Sequence, residues 1–364
     1  MNNRNKKNKI KAMLVLLFFV VSMSSGCITT EEETTPTPAP TTITITDSAG
    51  RDVEVSLPLE KVVVLNPPAA EVIHAFRAMD KIIGVSGSIA KAEFMPELST
   101  KVVVAKHAHG EPDYEKIIEL KPQLVITYGT HPAVDIGKLA ETLAPAGIKV
   151  AGIDCYKLDT IFNEIGILGK LFGKEDEASK LVDFLQDPAK IVESRTKDLK
   201  PEERVKVYAE HHGKEYLAFG PGSEWHTIIE NAGGTNIFAD AHQPYVEIDP
   251  EEIIKRNPQV ILKDIRRAPK MGYGVTDTEP MKEYLEGFID RPGWENLEAV
   301  KEEKVYMVSS ALGAGLGKVF FIPYLAKILY PELFEDLDPE SLLREYYEKF
   351  HGAQFKGVFI YPEL

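Results

Sequence analysis

Six of the nine histidines fall in short polar loops, where an imidazole can reach a solute or a metal. His107 and His109 flank Ala108 just before Gly110, and His131 follows Tyr128, Gly129 and Thr130. His211 and His212 are adjacent, and His242 stands three residues before Tyr245. Imidazole suits iron, cobalt and zinc and titrates near neutral pH. No spacing here closes a metal motif of the His-Glu-x-x-His kind, and a lone loop histidine is more often a surface residue. The histidines therefore count as a group rather than one by one. Arg266 and Arg267 follow an apolar run, and guanidinium forks grip carboxylates and phosphates in a bidentate way. An exposed basic pair beside Lys270 is the plain alternative. Gly220–Gly222 and Gly313–Gly317 match no nucleotide fingerprint and read as tight turns or close backbone approaches. Phe219, Trp225 and Tyr245 are candidates for an apolar wall, and Trp294 for packing the turn at Arg291, Pro292 and Gly293.

Such loops need strands and helices to hold them. Thr42–Thr46 and Val53–Val55 alternate apolar and polar residues around Asp47, Ser48, Ala49 and Gly50, which predicts a hairpin. Val62–Leu65, Ile82–Val85, Leu124–Thr127 and Lys149–Ile153 read as buried strands. Helices are predicted from Pro67 to about Met79, over Asp113–Leu120 and over Val134–Ala146. From Leu158 to about Lys200 there is only helical periodicity, broken by Gly173, giving two long helices or one bent one. Alternation resumes at Val205–Ala209, Glu224–Ala232, Glu251–Arg256, Val260–Lys263 and Val305–Val308. It ends in helices at Lys318–Leu329 and Pro339–Phe350. The pattern predicts an α/β fold of two Rossmann-like lobes with parallel sheets, joined by a long helix, with a ligand cleft between the lobes. EKIIELKPQLVIT at Glu115–Thr127 and EEIIKRNPQVILK at Glu251–Lys263 repeat at an offset of 136, one per half.

The N-terminus holds Arg4, Lys6, Lys7, Lys9 and Lys11, then the apolar run Ala12–Met23, then Ser24, Ser25, Gly26 and Cys27. This order is that of an export signal, and a permanent anchor needs roughly 20 apolar residues. The end resembles the lipobox of bacterial and archaeal lipoproteins, with Ser24 where Leu is usual. That resemblance implies diacylation of Cys27 and tethering at the outer face of the cell membrane. The expected organisation is 1–27 signal, 28–42 Thr/Pro linker, 43–157 first lobe, 158–200 connecting helical segment and 201–364 second lobe with its C-terminal helix. The linker cannot bury enough apolar surface to fold, and about 15 residues at ~3.1 Å each give ~45 Å of reach. Formal charge is −14, and a cut before Cys27 removes five basic residues and no acid, leaving −19 over 338 residues. That acidity argues against nucleic acid as a partner. With Cys27 acylated, Cys155 has no disulfide partner and reads as a buried small residue.

Seven phrases then recur in order from Thr44 to about Leu333. They are TDSAGRDV (Thr46–Val53), KVVVLNPPAAE (Lys61–Glu71), KIIGVS (Lys81–Ser86) and PDYEKIIELKPQLVIT (Pro112–Thr127) in the first half. IIENAGGTNIF (Ile228–Phe238), IDPEEIIKRNPQVIL (Ile248–Leu262) and RPGWENLEAVKEEKVYMV (Arg291–Val308) follow in the second. In this order they resemble the solute-binding proteins of ABC importers for iron–siderophores, haem and cobalamin. Arg77 departs by standing where Gly is usual, and Gln123 and Gln259 stand where Asp usually follows the Pro. The resemblance implies a monomeric, non-enzymatic protein with no cofactor of its own. It would carry an iron or cobalt chelate to a membrane permease and its ATPase. It also implies permease docking through Glu115 and Glu230, one carboxylate per lobe, which would set register on a basic partner. Ligand contacts are expected among Asn66, His107, His109, His131, His211, His212, Tyr245, Arg266 and Arg267. A chelatase-like enzyme or a surface sensor on the same fold are the alternatives.

Overall fold

The computed structural model describes residues 41–364, so Cys27, the leader and most of the linker lie outside the described residues. The chain enters on the strand Thr41–Thr46, antiparallel to Asp52–Leu57. The TDSAGRDV turn between them is a clamp. Asp47 is buried and accepts from the amides of Ala49, Arg51 and Gly152, each at 3.0 Å, and from the Arg51 guanidinium at 2.6 Å. Ser48 donates to Glu164 at 2.6 Å and accepts from the Asp154 amide at 3.0 Å. The hairpin is thereby fixed to the loop that leaves the first sheet.

That sheet is wholly parallel, in the order Val102–Ala105, Ile82–Ser86, Val62–Val64, Leu124–Thr127, Lys149–Gly152. Its central strand is three fully buried valines. Removing each from water is worth about 1.5–3 kcal/mol, an upper figure because unfolded chains are partly collapsed. The edge strand Val102–Ala105 is additional to the expected alternation, and Val102 and Val103 are exposed.

The second sheet runs Tyr245–Glu247, Leu217–Phe219, Lys206–Glu210, Val260–Ile265, Val305–Ser309, Ile360–Tyr361. Its centre is parallel, as expected, but Leu217–Phe219, Tyr245–Glu247 and Ile360–Tyr361 join antiparallel. The helix Glu279–Ile289 is a further element that periodicity did not mark out. The internal repeat folds alike in both halves. Helices Tyr114–Leu120 and Pro250–Arg256 each end on a left-handed residue, Lys121 at φ 50° and Asn257 at φ 44°. Gln123 then accepts from the Lys61 amide at 3.1 Å, and Gln259 from the Lys206 amide at 3.0 Å. Each glutamine thus binds the backbone just before or at the start of the neighbouring strand.

The connecting segment is two helices, Ile161–Phe172 and Glu175–Thr196, parted at Gly173 with φ 61°. The second continues through the buried Pro188. One apolar core runs from Ile45 of the hairpin through both helices to Phe320, Phe350 and Phe359 of the second half. A continuous core across the joint resists large hinge motion.

The first half also meets the C-terminal segment directly. Arg77 is left-handed at φ 59°, and its guanidinium donates to the His351 carbonyl at 3.0 Å. That bond helps offset a conformation which a glycine would adopt freely. His74 and His351, both buried, lie Nδ1 to Nδ1 at 2.8 Å. Glu71 accepts from the Tyr346 hydroxyl at 2.7 Å. Burial pushes the Glu71 carboxyl up to about 7, against the lowering by Tyr346. The folded protein therefore keeps a proton that the unfolded chain releases near 4.5, so stability falls as pH rises from 4.5 to about 7. Glu71→Gln should flatten that range and raise stability above neutrality by about 3 kcal/mol, with no change in acid. Parallel urea titrations of both proteins across the range check this, and identical pH profiles would contradict it.

Candidate functional site

The loops that follow parallel strands of both sheets carry the candidate side chains. In the first half, His109 lies beyond Val102–Ala105, Tyr128 and His131 follow Leu124–Thr127, and Tyr156 follows Lys149–Gly152. These four rings form one cluster. His109 and His131 stack with centroids 4.0 Å apart and planes 13° apart. His109 stacks on Tyr128 at 5.0 Å, and Tyr128 meets Tyr156 edge-on at 5.7 Å. Asp154, fully buried, holds the loop of His131 in place. It accepts from the Gly129 amide at 2.7 Å, from the Thr130 amide at 3.1 Å and from the Thr130 hydroxyl.

The second half presents a basic and imidazole-rich face. His211 and His212 follow Lys206–Glu210, with ring centroids 3.9 Å apart. His211 also meets Phe219 and Tyr245, each at 5.3 Å. His212 Nδ1 is 2.6 Å from Asp264 Oδ2, and Ser310 donates to Asp264 Oδ1 at 2.7 Å. Arg266 and Arg267 are exposed, and with His212, Asp264 and Tyr284 they line a hollow of about 380 Å³. The base of this face is a buried ionic trio. Glu210 accepts from Lys263 at 2.8 Å and from the two Arg291 nitrogens at 2.7 and 3.1 Å. The Arg291 guanidinium is wrapped by Tyr216, Phe288 and Trp294 at 4.4–4.8 Å from the ring centroids. Trp294 thus packs its own turn, and Trp225, stacked on Phe219 at 4.8 Å, is core under the face rather than wall.

Electrostatics tie the two faces together. Burial lowers the His109 pKa, and the charges of His131 and of Arg266 from the opposite half lower it further. Burial pushes the Tyr128 hydroxyl up, with Arg266 again among the charges it feels. Burial brings His211 down to about 4, helped by His212. These imidazoles are therefore neutral at neutral pH and offer lone pairs or single N–H donors. Lys318, buried, crosses between the halves. Its ammonium donates to the Tyr156 carbonyl at 2.6 Å and pairs with Glu224 at 3.1 Å.

A profile of the periplasmic binding protein family matches residues 62–312. The chain belongs to that family. The molybdate-binding protein MolA of Haemophilus influenzae is 23% identical over 343 residues, covering 86% of this chain and 92% of its own. The vitamin B12-binding protein of Vibrio cholerae is 24% identical over 264 residues, 69% of this chain and 90% of its own. The crystal structure of the TroA-like periplasmic binding protein FepB from Veillonella parvula superposes with a TM-score of 0.75. It is 27% identical and covers 87% of this chain and 99% of its own. These relatives are binding proteins by name, not enzymes.

His109, His131, His211, His212, Tyr245 and Arg266 sit on the two faces, and Arg267 lines the hollow beside them. Two candidates do not. Asn66 is fully buried; it caps the helix Pro67–Ala75 and donates to the carbonyls of Ile153 and Asp154 at 2.5 and 3.1 Å. It positions the Tyr156 loop from behind instead of meeting a solute. His107 is exposed and makes no ring contact with the cluster among the described residues. Tyr128, Tyr156, Asp154 and Asp264 were not anticipated, although the two tyrosines stand at or just beyond strand ends, as the histidines do. Glu115 is exposed on the first turn of its helix. Glu230 is half-buried, with the Asn236 amide at 3.4 Å. Cys155 is buried with a thiol pushed well up by burial, in keeping with a packing role. The glycines too are close approaches. A Cβ on Gly220 would stand 2.3 Å from the Gln243 carbonyl oxygen, and one on Gly317 1.8 Å from that of Ala311.

Proposed function

We propose that this chain is the extracytoplasmic solute-binding component of an ABC importer, and that its solute is a metal chelate with an anionic rim. Iron–siderophore, haem and corrinoid complexes are the classes that fit. The observation that carries the proposal is the pairing of the His109–Tyr128–His131–Tyr156 ring cluster with a facing surface of His211, His212 and Arg266. Flat aromatic and imidazole faces suit a ligand periphery, neutral imidazoles suit a metal, and an arginine suits anionic oxygens. The vitamin B12-binding relative supports a chelate. The molybdate-binding relative, together with the Arg266–Arg267 pair, favours a bare oxyanion as the second reading.

Thermal melts against ferric siderophores, haem, cobalamin and molybdate decide between them. One chelate class should raise the melting temperature, since a ligand at 100 times its Kd adds about 2.7 kcal/mol. A rise with molybdate alone would move the function to oxyanion capture. A lipid on Cys27 would keep the cleft near the permease, and labelled lipid that still incorporates after Cys27→Ser would remove that anchor. Docking through Glu115 and Glu230 would weaken in the double alanine variant, and unchanged permease binding would favour the sensor alternative. Metal insertion into a porphyrin would favour the chelatase.

A further inference from the structure

We propose that Lys318 is a positioning residue for solute binding: from the second half it holds the Tyr156 ring of the first half in place, and Glu224 holds Lys318. This rests on the solute-binding reading above and adds to it what keeps the first face in register with the second.

The glycine-rich stretch Gly313–Gly317, which matches no nucleotide fingerprint, brings the lysine there. A Cβ on Gly313 would stand 2.9 Å from the Trp225 ring, and one on Gly315 3.3 Å from Pro68 of the first half. Gly315 is also left-handed, at φ 55°. Side chains at these positions would crowd the loop out from between the halves. Lys318 follows at once, on the first turn of the helix Gly317–Leu329. Its ammonium donates to the Tyr156 carbonyl at 2.6 Å and pairs with Glu224 Oε2 at 3.1 Å. The same nitrogen lies 5.2 Å from the Tyr156 ring centroid, within reach of a cation–π attraction. Glu224 opens the helix Glu224–Asn231 of the second half. Its Oε2 is buried with no hydrogen-bond partner among the described residues, which leaves the lysine as its counter-charge.

Folding alone gives no reason for a cation at this place. The side chain is 5% exposed, and burial lowers its pKa against the raising by Glu224. The first turn of a helix also disfavours positive charge. An apolar side chain of similar length would pack there with no charge to bury. What the lysine supplies is a bridge. Behind Tyr156 the chain is anchored within the first half, where Asn66 donates to the carbonyls of Ile153 and Asp154 and Glu164 accepts from the Cys155 amide at 2.6 Å. In front, the Tyr156 ring meets Tyr128 at 5.7 Å and His131 at 6.4 Å, with the Lys318 ammonium of the second half against it. A ring held from both halves is already ordered when the solute arrives, so less conformational freedom is lost on binding.

The test compares Lys318→Met and Lys318→Arg with the unaltered chain. Without solute, proton cross-relaxation between the Tyr156 and Tyr128 rings is read by nuclear magnetic resonance of tyrosine-labelled protein. It should be present in the unaltered chain, lost in Lys318→Met and kept in Lys318→Arg, which retains the charge and the donors. Dissociation constants are then measured for whichever of haemin, cyanocobalamin and ferric citrate binds. They should rise about tenfold in Lys318→Met, the loss of one charged hydrogen bond, and recover at least in part in Lys318→Arg. Weakened binding with unchanged cross-relaxation would mean that Lys318 touches the solute itself, and would overturn the positioning role. Unchanged binding would overturn it as well, and so would a Lys318→Met chain that does not fold, since a structural ion pair would then be the whole of its role. If none of the three chelates binds any of these proteins, the chelate reading falls, and the cross-relaxation still decides whether Lys318 holds the ring.

Discussion

Glu210→Ala is expected to destabilise the protein by about 3–5 kcal/mol, the cost of leaving buried cations without their anion. Lys263 and Arg291 are 4% and 11% exposed at their side chains, and both turn to this one carboxylate, which is itself fully buried. Both cations are largely enclosed, and three aromatic rings pack around the Arg291 guanidinium. Urea titration of both proteins checks the figure through the shift in midpoint. A loss below about 1 kcal/mol would mean that water already reaches the trio. The pH dependence carries a sign as well. Burial alone would raise the Glu210 pKa, but hydrogen bonding and charge from Arg291 and Lys263 prevail and hold it below its usual 4.5. Its contribution to stability is present above that value and is lost only as pH falls through the lower folded value. Because Lys263 also donates to the His211 carbonyl at 2.9 Å, the same substitution should loosen the His211–His212 loop and weaken solute binding.

Arg266→Glu should weaken chelate binding by about 100-fold, or ~3 kcal/mol, because it sets a carboxylate against an anionic ligand rim. Calorimetric titration with the chelate identified by thermal melts measures this. The variant has a second signature that needs no ligand. Arg266 is one of the charges that lower the His109 pKa, so reversing its sign should raise that pKa, readable by nuclear magnetic resonance of the imidazole. A raised His109 pKa with unchanged affinity would place the solute away from Arg266. An unchanged pKa would mean that the two halves do not face each other as described.

The framework was largely legible because its signals are local. The hairpin shows in alternation and in Asp47, which the turn needs as a carboxylate acceptor. The repeat shows because each half uses the same helix stop and the same glutamine. Strand ends pointed to four of the loop histidines that the structure sets on the two faces. The rest depends on contacts distant in sequence. Glu210, Lys263 and Arg291 are 53 and 81 residues apart, so no window of sequence joins them. Asp154 and Asp264 act through the loops and rings they hold, and nothing in their spacing separates them from other acids. Tyr128 stands at a strand end and is only 7% exposed, yet its ring stacks on His109 within the cluster. Asn66 misleads for the opposite reason: a polar residue after a strand suggests a contact, and here its amide is spent on a helix cap and two carbonyls.

The central claim is that the cleft holds a metal chelate, and the most direct measurement is metal analysis with an absorption spectrum of protein purified natively from its own cells. The expected result is near-stoichiometric iron or cobalt with a chromophore of the siderophore, haem or corrinoid kind, lost together in Arg266→Glu. Molybdenum as the bound element with no organic chromophore, or a metal-free protein that none of these chelates stabilises, would contradict it.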